Sequence, residues 1–132
     1  MRHLLLMICV ISTLSLKSNV DTTLTLKNVY QQLLNDSIKH PDIVLKQIIV
    51  ETGWLKSKYC IQYNNLTGFR GNNGYKKYNT WKDCIKDYKR WQNKHYKGGD
   101  YYNFLLKIGY SEKGIEYINY LKRIKIPKYI YE

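Results

Sequence analysis

The stretch Gln47-Ile48-Ile49-Val50-Glu51-Thr52-Gly53-Trp54 decides how this chain folds. Ile43, Val44, Ile48 and Ile49 recur at helical spacing and predict a helix face turned into a core. One glutamate closes the apolar run, and Gly53 stops the helix soon after it. Glu51 is thereby delivered by the last turn of a core helix, partly out of water. Desolvation disfavours the ionised carboxylate and raises its pKa, which suits a general acid working near neutral pH. A surface glutamate beside a helix C-cap is the competing reading, and this stretch alone does not separate the two.

Outward from that helix, His40-Pro41-Asp42 supplies its start: Pro suits a first helical position and Asp42 complements the helix dipole. Thr25 predicts the cap of an earlier helix over Leu26 to Ser37, with Val29, Leu33 and Leu34 on one side. After Trp54 the periodicity fades and Gly and Asn accumulate. Leu66 to Arg70 and Tyr75 to Tyr78 read as short strands around Gly71-Asn72-Asn73-Gly74, a small hairpin facing the end of the central helix. Thr80 and Asp83 have the spacing of a capping box for a third helix. Its buried stripe is Trp81, Cys84, Ile85, Tyr88 and Trp91, and it runs out near His95. Gly98-Gly99 breaks the chain, and a fourth helix runs from Asp100 or Tyr101 to Gly109. Ser111 caps a fifth with Ile115, Ile118 and Leu121 inward, and Pro127 stops anything beyond. The sum is an α+β domain, mostly α, of about five helices with one hairpin lobe.

A chain of 132 residues makes one domain. Residues 1–18 read as a signal peptide, with a basic start at Met1-Arg2-His3, an apolar run from Leu4 to Leu14 and small residues at Thr13-Leu14-Ser15. An uncleaved amphipathic anchor is the other reading of that segment. Residues 19–132 then form the working domain, secreted or periplasmic and associated with the cell wall. Cys60 and Cys84 remain after cleavage, an even count that permits a disulfide without requiring one.

Lys and Arg number 22 against 10 Asp and Glu, a formal net charge of +12. Such a surface seeks polyanions, either nucleic acid or a wall rich in carboxylates and phosphates. The 14 tyrosines and three tryptophans add stacking surface for sugar rings or bases. Metal chemistry finds no support, because His40 and His95 stand without Cys or carboxylate at ligand spacing. No phosphate-cradling Gly loop and no Ser elbow occurs.

What remains is Glu51 and the Asn-rich hairpin. The block Gln47 to Trp54, then Asn64-Asn65-Leu66-Thr67-Gly68-Phe69-Arg70-Gly71, then Tyr78-Asn79-Thr80-Trp81-Lys82-Asp83-Cys84-Ile85 resembles the glucosaminidase family of peptidoglycan hydrolases. That family, typified by mannosyl-glycoprotein endo-β-N-acetylglucosaminidase-like domains, belongs to the lysozyme-like superfamily. Gly109-Tyr110-Ser111 with Tyr117-Ile118-Asn119-Tyr120-Leu121 is similar to its closing motif. The four blocks stand in order across about residues 28–124.

The resemblance implies cleavage of the β-1,4 bond between amino sugars, with Glu51 as the acid and Tyr110 lining the cleft beside it. Asn64 and Asn65 would shape the floor, although a turn held by side-chain to backbone bonds explains them equally. Trp54, Phe69, Tyr75 and Tyr78 are the remaining candidate sugar-binding residues. Peptidoglycan glycan strands and anionic wall polymers are the expected partners, with no metal, no cofactor, no specific nucleic-acid site and a monomeric chain. One departure matters: members commonly carry a second carboxylate in the hairpin lobe, and no Asp or Glu occurs here between Glu51 and Asp83. The two-carboxylate schemes of ordinary glycosidases thus lack a member. The substrate's acetamido group could serve as nucleophile, or the muramic 6-hydroxyl could attack as in lytic transglycosylases. A wall-binding module without catalysis is the third possibility.

Overall fold

The central helix, α2, spans Pro41–Thr52 and is buried on almost every side: Ile43, Val44, Leu45, Gln47, Ile48, Ile49 and Thr52 are all inside. This is a computed structural model describing residues 22–132, and the expected signal segment, residues 1–18, lies outside them. Around α2 pack α1 (Leu26–Asn35) and α6 (Ile115–Arg123). A short helix α3 (Lys58–Tyr63) leads to the hairpin of β1 (Arg70–Gly71) and β2 (Gly74–Tyr75), then α4 (Trp81–His95) and α5 (Tyr101–Lys107) follow. A 3-10 turn over Lys128–Tyr131 closes against α1, where Tyr131 meets Tyr30 edge to face at 5.0 Å. The architecture is α+β and mostly α, of lysozyme-like type.

Local chemistry explains most boundaries. The Thr25 hydroxyl accepts from Asn28 N at 3.1 Å and starts α1, while Thr80 and Asp83 complete the capping box of α4. Asp100 caps α5 by accepting from Asn103 N at 2.8 Å. Trp81, Cys84, Ile85 and Tyr88 form the buried stripe of α4, with Trp91 half-buried beside them.

Several expectations need correction. Helix α1 stops at Asn35, and Leu34 is 44% exposed, because Val29 and Leu33 alone hold the inward stripe. Helix α3 was not anticipated from periodicity, since only Cys60 of its six residues is buried. The strands are shorter than Leu66 to Arg70 and Tyr75 to Tyr78: Arg70 pairs Tyr75 and Gly71 pairs Gly74, so Asn72-Asn73 alone makes the turn. Helix α6 starts after Gly114, not at Ser111, whose hydroxyl instead accepts from Lys113 N within the preceding turn. Ile115 therefore faces out, 56% exposed, and Tyr117 takes the inward place with Ile118 and Leu121. Pro127 does not end all structure; it precedes the 3-10 turn and its buried Ile130. Cys60 and Cys84 are both buried and both free thiols. Burial, helped by nearby Cys84, pushes the Cys60 thiol up to about 11.

Candidate active site

The site begins where α2 ends. Thr52 Oγ1 donates to Ile48 O at 2.7 Å and accepts from Leu55 N at 2.8 Å, while Thr52 O accepts from Lys56 N and Ser57 N. These bonds hold Gly53, Trp54 and Leu55 consecutively in the left-handed region, at φ of 55°, 62° and 65°. For Trp54 and Leu55 that conformation costs about 1–2 kcal/mol each, so the turn persists only because its surroundings dictate it. The chain reverses within three residues, leaving Glu51 at the mouth of the core.

Opposite Glu51 is the turn over residues 65–68. Asn65 is fully buried, and its Oδ1 accepts from Thr67 N and Gly68 N at 3.2 and 2.8 Å. Its Nδ2 donates to Phe69 O and Lys76 O, both at 3.0 Å. Asn65 is thus the hub that shapes the floor, and in this conformation it has no exposed surface for a sugar. The turn carries Gly68 against the carboxyl: a methyl group there would come within 2.7 Å of Glu51 Oε2, at a backbone φ of 71°. Only glycine fits both the conformation and the approach.

Two tyrosines frame the carboxyl. The Tyr110 hydroxyl donates to Thr67 O at 3.2 Å, joining the α5–α6 connection to the floor turn. Its ring stacks on Tyr117 at 5.9 Å and abuts Trp91 at 5.5 Å. From the other side the Tyr59 hydroxyl donates to Glu51 O. Tyr59 stacks nearly parallel on Tyr75 at 4.5 Å, and the Arg70 guanidinium is 4.4 Å from the Tyr75 ring centre. The hairpin is therefore fastened to the C-terminal end of α2 through one aromatic pair.

Electrostatics follow from this enclosure. Burial raises the Glu51 carboxyl above its ordinary value, and no neighbouring charge offsets it. Burial, with the charges of Tyr117 and Glu51 adding, pushes Tyr110 well up. Burial and then Glu51 likewise raise Tyr117. All three hydroxyl and carboxyl groups thus favour their protonated forms.

The acids nearest in sequence are otherwise engaged. Asp83 Oδ2 accepts from Thr80 N and Thr80 Oγ1 at the start of α4. Burial alone would raise Asp87, but hydrogen bonds from Tyr78 at 2.6 Å and Lys76 at 3.1 Å, with the Lys76 and Arg90 charges, hold it low.

Of the residues singled out in the sequence, the fold gathers Glu51, Tyr110 and Phe69 into one cluster, with Phe69 at 6.4 Å from Tyr110. Tyr75 joins through Tyr59. Trp54 stands 42% exposed on the strained turn, free to stack. Asn64 and Tyr78 fall at the base of the hairpin: Asn64 Nδ2 donates to Tyr78 O and Asn79 O, and the Tyr78 hydroxyl turns to Asp87. Tyr59, Gly68 and Tyr117 were missed. Gly68 and Tyr117 stand in the quoted blocks, whereas nothing in the sequence marks Tyr59.

Beneath the site runs a buried polar chain. Tyr88 donates to Gln47 Oε1 at 2.7 Å and meets the Tyr101 hydroxyl. Gln92 Nε2 bonds Tyr101 at 3.0 Å and Lys39 O at 2.9 Å. It ties α4 to the start of α2 and to Gln47, one helical turn before Glu51. Among the described residues no three His, Cys, Asp or Glu side chains converge as a metal site.

A helical core that presents one desolvated glutamate to a small hairpin lobe is the frame of a lysozyme-like glycoside hydrolase. The family model described as mannosyl-glycoprotein endo-beta-N-acetylglucosaminidase matches residues 27–128, and the chain belongs to this glucosaminidase family. Neither a curated protein nor a solved structure matches it significantly.

Proposed function

We propose that this chain is an exported enzyme that hydrolyses β-1,4 bonds between the amino sugars of peptidoglycan, with Glu51 as the general acid. The observation that carries the reading is the Glu51 carboxyl, raised by burial and pressed against Gly68. A carboxyl whose burial favours its protonated form can give its proton to the leaving glycosidic oxygen. With Asp83 and Asp87 engaged in α4, the substrate's own acetamido oxygen is the nucleophile. Attack closes a ring on the sugar, and Glu51, now ionised, takes a proton from the water that opens it. Tyr110 and the Tyr59–Tyr75 pair flank the acid, and Trp54 and Phe69 offer faces for sugar rings. The net charge of +12 holds the enzyme on anionic wall polymers. Salt should therefore weaken binding to insoluble wall far more than turnover of a short uncharged chito-oligosaccharide.

Digestion of purified wall followed by mass spectrometry tests the mechanism. The expected fragments end in an ordinary reducing sugar. Fragments lighter by one water, ending in an anhydro sugar, would instead assign attack to the muramic 6-hydroxyl with the same single glutamate. Intact wall after exposure to folded protein would overturn the enzyme reading.

A further inference from the structure

Beside the Glu51 cluster, α6, the turn before it and the end of α2 line an open cavity of about 440 Å³. Its wall includes Val50, which immediately precedes Glu51, and Tyr117, which stacks on Tyr110. The cavity thus shares two walls with the elements that hold the acid, and the Glu51 charge is felt at Tyr117. Its remaining lining is charged, polar and aromatic: Lys113, Glu116, Asn119, Tyr120 and Arg123. Among the described residues every ion pair involves Asp87, with Lys76 or Arg90, so Lys113, Glu116 and Arg123 enter none. Two cations and one anion share one cavity without neutralising one another. Tyr120 is 49% exposed, with the Arg123 guanidinium 5.8 Å from its ring centre.

That lining selects among ligands. A polyanion would meet Lys113 and Arg123 but be opposed by Glu116. A neutral sugar would use Tyr120 and Asn119 and leave three charges to solvent. A short peptide bearing both free carboxylate and free amine answers all of them, with charge-assisted hydrogen bonds of both signs. Peptidoglycan carries such a peptide on the lactyl group of the sugar next to the scissile bond. Resting on the hydrolase reading above, we propose that the cavity between α2 and α6 is a subsite for the peptide stem of the wall glycan. The enzyme would then read a stem-bearing strand in preference to bare glycan.

The test compares kcat/KM of the full chain on wall glycan and on the same glycan after an amidase has removed its stems, leaving the lactyl carboxylate. Wild type should favour the stem-bearing strand by about tenfold, the ratio one charge-assisted hydrogen bond supports. The double variant Lys113→Gln with Arg123→Gln, and separately Glu116→Gln, should reduce that preference towards parity. Their melting temperatures and rates on stem-free glycan should stay those of wild type. Equal cleavage of both glycans by wild type would overturn the proposal. So would a preference that survives the variants, or a loss that falls equally on both glycans and so points to the lactyl carboxylate. If wild type cuts neither glycan, it is the hydrolase reading that fails. The cavity is then tested by titrating wild type with amidase-released stem peptide and following backbone amides 113–123 by NMR. Saturable shifts there uphold the subsite, and unmoved amides overturn it.

Discussion

Glu51 at the end of α2 and Asp87 in the middle of α4 are both half-buried carboxylates, yet the fold moves their affinity for a proton in opposite directions. Glu51 meets a glycine, aromatic rings and no cation, so burial acts alone. Asp87 suffers burial as well, but Tyr78, Lys76 and Arg90 outweigh it. What a carboxylate faces decides its chemistry, more than how deep it lies. Burial inclines Glu51 to hold its proton, while Asp87 is a fastener holding the hairpin to α4. This division explains how a hairpin lobe without its own acid is still built firmly beside Glu51.

The comparison breaks most visibly at Glu51. Glu51→Gln should cut wall lysis by at least the 10²–10⁴-fold typical of a lost general acid, since Asp83 and Asp87 are engaged in α4. Its stability should move the other way. A carboxyl whose folded pKa is raised stabilises the fold fully only below its unfolded value, and that contribution is lost as pH rises through the folded value. The Gln variant should therefore melt at or above wild type at neutral pH, with the difference shrinking in acid. A Gln variant that lyses wall at the wild-type rate would make Glu51 a mere helix-end residue.

Next in size is Gly68→Ala. Its methyl group would meet Glu51 Oε2 at 2.7 Å and must adopt a φ of 71°. Displacing the acid by about an ångström should cost on the order of 10²-fold in kcat/KM, with a smaller loss of stability. Unchanged activity would mean that the Gly68 contact does not hold the carboxyl in its working position.

The smallest effect belongs to the Asp87 side. Tyr78→Phe removes the hydroxyl that donates to Asp87 at 2.6 Å, and should cost about 1–2 kcal/mol at neutral pH. A carboxylate held low contributes stability above its unfolded pKa and loses it as pH falls through the folded value, so this cost should fade in acid. Activity should change little. A large fall in kcat without a fall in melting temperature would place Tyr78 in the chemistry after all.

Much of this was legible in the sequence because the residues involved act on near neighbours. The apolar run ending in Glu51 and Gly53 declares both the central helix and the desolvation of its last carboxyl. Thr80 and Asp83 declare the start of α4 within three residues. Long-range pairing was not legible. Asn65 gives its amide to Lys76 O and to Phe69 O, which also accepts from Lys76 N at 2.9 Å, and the regular pairing spans only Arg70–Gly71 and Gly74–Tyr75. Gly114, at φ 56°, carries the entry to α6 in place of Ser111, because the turn between them uses the serine hydroxyl itself. Tyr59 reaches Glu51 only because a strained three-residue turn folds α3 back on α2, which no local preference reveals.

The central claim is that burial without a compensating cation makes Glu51 the acid. A titration of side-chain carboxyl carbons by NMR, with Glu51 and Asp87 followed in one sample, measures that directly. Glu51 should titrate clearly above the usual glutamate value of about 4.3, and Asp87 below the usual aspartate value of about 3.9. Glu51 titrating at or below its usual value would contradict the account, whatever the enzyme is found to cleave.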